Sequence, residues 1–94
     1  MYFDIVKAVY ITDYKVNLTF EDGKKGVVDL KDYVNSSKVF SKFTNIKYFK
    51  KFYIEDGILT WGQGEIDIAS ETLYLKATGS KTIKWDIEKL SKAI

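Results

Sequence analysis

Tyr14-Lys15-Val16-Asn17-Leu18-Thr19-Phe20-Glu21-Asp22-Gly23-Lys24-Lys25-Gly26-Val27-Val28-Asp29-Leu30 is the stretch on which the fold turns. Apolar and polar residues alternate strictly from Tyr14 to Phe20. Tyr14, Val16, Leu18 and Phe20 therefore share one face of a strand, and Lys15, Asn17 and Thr19 take the other. This is the pattern of an antiparallel sheet with one buried side. Glu21-Asp22-Gly23-Lys24 places a glycine, which tolerates positive φ, where the chain must reverse, and Lys25 to Leu30 returns as the partner strand. Upstream, Phe3 to Ile11 is rich in β-branched and aromatic residues and reads as a third strand, although its alternation is imperfect. A three-stranded antiparallel meander is expected.

Working outward, the hydrophobic period changes. Ser36 or Ser37 is placed to cap a short helix with Val39, Phe40 and Phe43 on one face, and Asn45 to cap a second carrying Ile46, Phe49 and Phe52. These two helices are expected to cover the sheet. Phe52 to Glu55, Asp56-Gly57, and Ile58 to Trp61 then give the strongest hairpin signal in the chain, because Asp-Gly between apolar strands favours a type I′ turn. Beyond Ile66-Asp67-Ile68, Asp67 or Ser70 is expected to cap a helix through Leu73, Tyr74 and Ala77, ended by Gly79. Lys81 to Trp85 alternates as a short strand, and Asp86 begins a last helix bearing Ile87, Leu90 and Ile94. The fold class is thus α+β: a single small domain with an antiparallel meander and a hairpin packed by short helices. Residues 1–79 carry the main unit and residues 80–94 extend it.

Composition narrows the chemistry. The 94 residues suit one domain, and 46% apolar with 16% aromatic residues suffices for a core without disulfides. Cysteine is absent, which removes thiolate nucleophiles and Cys-based metal sites and suits a cytoplasmic location. Histidine is also absent, removing the side chain best matched to proton transfer near neutral pH. No apolar run approaches the roughly 18 to 20 residues that span a bilayer, so no membrane association is expected. All of the 15 basic residues are Lys, set against 13 Asp plus Glu. Without the planar fork of Arg, bidentate base reading is disfavoured and only loose phosphate contact is left.

Leu18-Thr19-Phe20-Glu21-Asp22-Gly23, followed by Val28-Asp29-Leu30 and then by the ordered series Trp61, Gly64, Asp67, Leu73 and Tyr74, resembles the small bacterial family called domain of unknown function 2442. The likeness covers about residues 3 to 76. It implies an α+β module and no established catalytic residues. Members of the family often stand alone or are joined to a helix-turn-helix, which implies a regulatory or toxin–antitoxin-like partnership. The chain departs from the family pattern in carrying Gly62-Gln63 where members commonly have Pro-Asn, and in lacking a Pro near Ser70.

Each candidate site has a structural alternative. Glu65 and Asp67, two apart, would share a strand face and present two carboxylates, but capping by Asp67 and solvation of Glu65 account for both, so no metal and no cofactor are expected. Trp61-Gly62-Gln63-Gly64 lacks the Gly-Lys-Ser/Thr ending of a phosphate loop. Gly62 and Gly64 instead read as turn residues around a core Trp61, with Leu73 and Tyr74 completing a structural signature. Lys38, Lys42, Lys47, Lys50 and Lys51 lie among Phe40, Phe43, Tyr48, Phe49 and Phe52 with no acidic residue between Lys38 and Tyr53. This is the best nucleic-acid signal available, and ordinary amphipathicity produces the same pattern.

The expectation is a non-catalytic protein-interaction or regulatory module, one half of a toxin–antitoxin-like pair, presenting a sheet face or edge to a protein partner or to a second copy. Tyr2, Tyr10, Tyr33 and Tyr48 are its aromatic contact candidates. The alternative is a weak, sequence-nonspecific nucleic-acid-binding accessory that uses Lys38 to Lys51.

Overall fold

The alternating stretch from Tyr14 becomes the middle strand of the first of two sheets in the computed structural model, which describes residues 3–79. The expected strand at Lys81 to Trp85, the helix begun by Asp86 and Tyr2 lie outside the described residues. Strands β1 (Ile5–Thr12), β2 (Lys15–Phe20) and β3 (Lys25–Asp29) form the antiparallel meander in that order. Val16, Leu18 and Phe20 are buried, as period two requires. Register shifts between Ile5 and Lys7 and between Tyr10 and Thr12 explain the imperfect alternation of β1, because each displaces one residue from the ladder. The β2–β3 reversal has Gly23 at φ +87, and the Gly23 amide donates to the Phe20 carbonyl.

The middle of the chain corrects one helical expectation. Lys38–Thr44 is a 3₁₀ helix rather than an α-helix. With three residues per turn, positions 37, 40 and 43 lie above one another, so Phe40 and Phe43 turn inward while Val39 is left 59% exposed. Ser37 precedes this helix without a capping hydrogen bond, and the Ser36 hydroxyl donates to the Tyr33 carbonyl instead. Asn45 does cap the single turn α1 (Ile46–Phe49), its side chain accepting from the Lys47 amide at 3.0 Å. Of the face expected there, Phe49 is buried, Phe52 is half-buried and Ile46 is exposed.

β4 (Tyr53–Glu55) and β5 (Ile58–Trp61) form the second hairpin with Glu55 opposite Ile58. Asp56 and Gly57 both have positive φ, the mark of the type I′ turn that Asp-Gly favours. A third strand, β6 (Ile66–Ile68), pairs with β5 and makes a second meander. This overturns the expectation that Asp67 is a helix cap. Ile66 and Ile68 are buried, so period two turns Asp67 outward, opposite Thr60. Helix α2 (Ser70–Thr78) begins beyond it with no side-chain cap, and Gly79 ends it in the left-handed region at φ +93. Buried Ser70, Leu73 and Tyr74 and half-buried Ala77 follow the i, i+3, i+4, i+7 spacing of one helix face.

The core lies between these layers. Trp61 is fully buried against Phe43 and Phe49, with ring centroids at 4.6 and 5.8 Å. Its indole Nε1 donates to the Phe49 carbonyl at 2.7 Å, and the Tyr14 hydroxyl donates to the Phe43 carbonyl at 2.7 Å. Buried Trp61 and half-buried Tyr14 thereby satisfy backbone acceptors of the short helices, which too few intrahelical bonds would leave open. The Gly57 carbonyl accepts from both the Ile5 amide at 2.9 Å and the Ser70 hydroxyl at 2.6 Å, tying β1, the second hairpin and α2 together. On the other edge of the first sheet, α2 packs against β3 at Gly26, where an added Cβ would lie 2.1 Å from the Ala77 carbonyl oxygen.

Candidate interaction surface

The register of the first sheet sorts its side chains into two faces. The inner rows are Ala8–Leu18–Gly26 and Tyr10–Val16–Val28, directed at the core. The outer rows are Lys7–Thr19–Lys25, then Val9–Asn17–Val27, then Thr12–Lys15–Asp29. Alternation predicts a polar outer face. Instead its central row carries two aliphatic side chains, Val9 at 45% and Val27 at 50% exposure, on either side of half-buried Asn17. Ile11, at the β1 register shift, is 47% exposed and extends the apolar surface along the edge strand. Scattered surface aliphatics are ordinary; here two of them flank Asn17 across three strands, with Lys7 and Lys25 in the row on one side and Lys15 and Asp29 in the row on the other. At its Lys15–Asp29 end the face runs into an open groove lined also by Asp13, Tyr14 and Lys31.

The lysines of the middle segment do not form a single free cluster. Lys38, Lys47 and Lys51 are exposed. Lys42 is ion-paired to Glu65 at 3.0 Å, and the Lys50 ammonium sits 5.0 Å above the Tyr10 ring. The interleaved aromatics turn inward: Phe43 and Phe49 are buried, and Phe40, Tyr48 and Phe52 are half-buried. Tyr10 and Tyr33, expected as aromatic contacts, are likewise half-buried, with the Lys76 ammonium 5.8 Å from the Tyr33 ring.

The signature residues have structural work. Trp61, Leu73 and Tyr74 are core; Gly62 and Gly64 hold φ of +65 and +87 in the β5–β6 turn. Glu65, read from sequence as merely solvated, accepts from the Tyr48 hydroxyl at 2.6 Å and from Lys42. It lies in the turn ahead of β6 rather than on a strand face with Asp67. The Tyr48 hydrogen bond, then the Lys42 one, holds the Glu65 carboxyl below its ordinary range. Burial, with the hydrogen bond to Glu65 second, pushes the Tyr48 phenol up to about 12. A parallel contact joins α2 to the first hairpin: the Tyr74 hydroxyl donates to the Asp22 carboxylate at 2.5 Å. That bond lowers the Asp22 pKa and raises that of Tyr74.

Sequence reasoning missed both tyrosine–carboxylate contacts and the outer aliphatic row. For the row a signal was present, since adjacent Val27 and Val28 cannot both face inward on a strand. Among the described residues no three His, Cys, Asp or Glu side chains group in a way that would hold a metal ion. No described helix is long and apolar enough to cross a membrane.

The family model described as a protein of unknown function (DUF2442) matches residues 5–79, which takes in every strand and α-helix among the described residues. No curated protein and no solved structure matches the chain.

Proposed function

Taking as premise that this chain belongs to the DUF2442 family, we propose that it is a non-catalytic protein-interaction or regulatory module of the bacterial cytoplasm, acting as one half of a toxin–antitoxin-like pair. The observation that carries the reading is the row Val9–Asn17–Val27 on the outer face of the first sheet, whose two valines are 45% and 50% exposed. Aliphatic side chains half in water gain on contact roughly 25 cal/mol for each Å² of apolar surface removed from solvent. A sheet supplies a rigid platform for such contact, so little conformational freedom is lost on binding. The side chains that the site offers are Val, Ile, Lys, Asn and Thr, which suit recognition better than bond making. The test is recovery of tagged protein from its source cells. The wild type is expected to bring down a stoichiometric protein partner, and the paired Val9→Ser, Val27→Ser variant to lose it while remaining folded by circular dichroism. Repeated recovery of the wild type alone would count against the reading.

A second reading is favoured by the exposure of Lys38, Lys47 and Lys51 on an acid-free segment: a weak, sequence-nonspecific nucleic-acid accessory acting through phosphates. Binding to mixed DNA and RNA at low salt, collapsing at moderate salt, would support it. No binding at low salt would sink it.

A further inference from the structure

We infer that the occupant of the outer sheet face is an acidic amphipathic α-helix of a partner protein, with an aliphatic stripe flanked by carboxylates. This rests on the reading of that face as the interaction surface and identifies what it takes. Charge selects the sign. Across its three rows the face presents Lys7, Lys25 and Lys15 against a single carboxylate, Asp29. The Asp29 carboxylate stands opposite Lys15 and accepts from the Lys31 amide at 3.0 Å. An acidic partner is attracted along the Lys7–Lys25 rim, where no carboxylate stands, while the opposite rim sets Lys15 against Asp29.

Spacing selects the shape. Val9 and Val27 lie one strand to either side of Asn17, so the apolar row spans about 10 Å at the usual strand separation of about 4.8 Å. Two turns of α-helix rise about 11 Å, which sets an i, i+3, i+7 stripe along the row. Lys7 and Lys25 stand two residues away from Val9 and Val27 along their strands, and Lys15 two residues from Asn17 on the other side, about 7 Å in each case. A helix about 10 Å wide thus carries its flanking carboxylates to Lys7 and Lys25 on one side and to Lys15 on the other. Half-buried Asn17 in the middle of the apolar row also needs a polar partner once covered, which a protein provides and hydrocarbon does not. The face has neither Arg nor an aromatic ring, so it lacks the groups that stack on bases or fork onto phosphates.

The experiment is an amide NMR titration of the full chain with two synthetic helical peptides of equal length and identical stripes of Leu, Asn and Leu at i, i+3 and i+7, one flanked by Glu and the other by Lys. The Glu peptide is expected to shift Lys7, Val9, Asn17, Lys25 and Val27 and to bind at least about tenfold more tightly than the Lys peptide, with the gap closing as salt rises. Replacing Lys7→Glu and Lys25→Glu together is expected to reverse the preference. Equal shifts of this face by both peptides would overturn the acidic occupant and leave the interaction surface standing. Concentration-dependent shifts of the same amides without peptide would do likewise, naming a second copy. Equal shifts with phosphatidylserine vesicles or duplex DNA would replace the protein partner. Contacts from residues 80–94 onto Val9 and Val27 in the free chain, or no shift with any probe, would remove the surface and the occupant together.

Discussion

Each sheet carries a carboxylate in one hairpin turn that accepts a tyrosine hydroxyl from a helix, and a lysine stands over each tyrosine ring. In the first, Asp22 of the β2–β3 turn meets Tyr74 of α2, with Lys24 at 6.0 Å from the ring centroid. In the second, Glu65 of the β5–β6 turn meets Tyr48 of α1, with Lys42 at 5.6 Å. The parts correspond, but the rings differ in what surrounds them. Tyr74 is buried, edge-on to Phe3 at 4.8 Å and Phe20 at 4.9 Å. Tyr48 is half-buried, and its ring contact is the more distant Phe43 at 6.5 Å. The same polar contact therefore seats a core residue in one sheet and pins a surface turn in the other. Energy should follow the ring, since exposed charge contacts are weak and aromatic burial is not.

The sharpest way to break that contrast is truncation. Tyr74→Ala is expected to cost about 3–5 kcal/mol in urea unfolding, as loss of a buried aromatic does, and Tyr48→Ala distinctly less. Equal losses would mean that the two contacts are equivalent after all. Next in size is the seat of α2. Gly26→Ala forces a methyl group into the Ala77 carbonyl and is expected to cost about 1–3 kcal/mol and to loosen α2, read as faster amide exchange at Leu73 and Tyr74. No comparable glycine holds α1. Smaller still is removal of the hydroxyl alone: Tyr74→Phe is expected to cost about 1 kcal/mol, because Asp22 lies at the surface and water replaces the lost donor. A loss as large as that of Tyr74→Ala would place the energy in the hydrogen bond rather than the ring.

What the sequence makes legible divides along the same line, between local chemistry and distant partnership. The strict alternation from Tyr14 to Phe20, the Asp56-Gly57 turn, the Asn45 cap and the Gly79 stop are written in neighbouring residues, and the structure bears each of them out. Val39 was misplaced because the choice between 3.0 and 3.6 residues per turn is made by what Phe43 packs against, not by the helix itself. Asp67 was misplaced because a three-residue strand is too short to announce its period. The pairing of Asp22 with Tyr74 spans 52 positions and leaves no local trace, although both residues lie within the stretch that the family model matches. The outer face was legible as a face and not as a surface of interest. Alternation in β2 marked it polar, while Val9 and Val27 sit on the flanking strands where the pattern is less regular.

The smallest expected effect is the pH dependence, and it separates the two contacts most cleanly. A tyrosine whose pKa is higher in the fold than in the unfolded chain binds its proton more tightly when folded, so its stabilising share is complete below the unfolded pKa and is lost as pH rises through the folded one. For Tyr48 that window runs from the ordinary 10.0 to about 12. Tyr74 contributes in the same direction from 10.0 upward. Asp22 and Glu65 are lowered in the fold, so their share is present above ordinary values of 3.8 and 4.5 and is lost as pH falls through the lower folded ones. These are two views of each hydrogen bond, seen from donor and acceptor, and are not summed. Thermal midpoints of the wild type are thus expected to stay level through neutral pH and to fall as pH rises from about 10 to about 12, a decline that Tyr48→Phe flattens most and Tyr74→Phe flattens less. Tyrosinate absorbance followed in parallel should show one phenol titrating near 12 and that phenol missing in Tyr48→Phe. If it is Tyr74→Phe that removes it, the more strongly held proton belongs to the core contact, and burial of the ring rather than exposure of the turn governs both members of the pair.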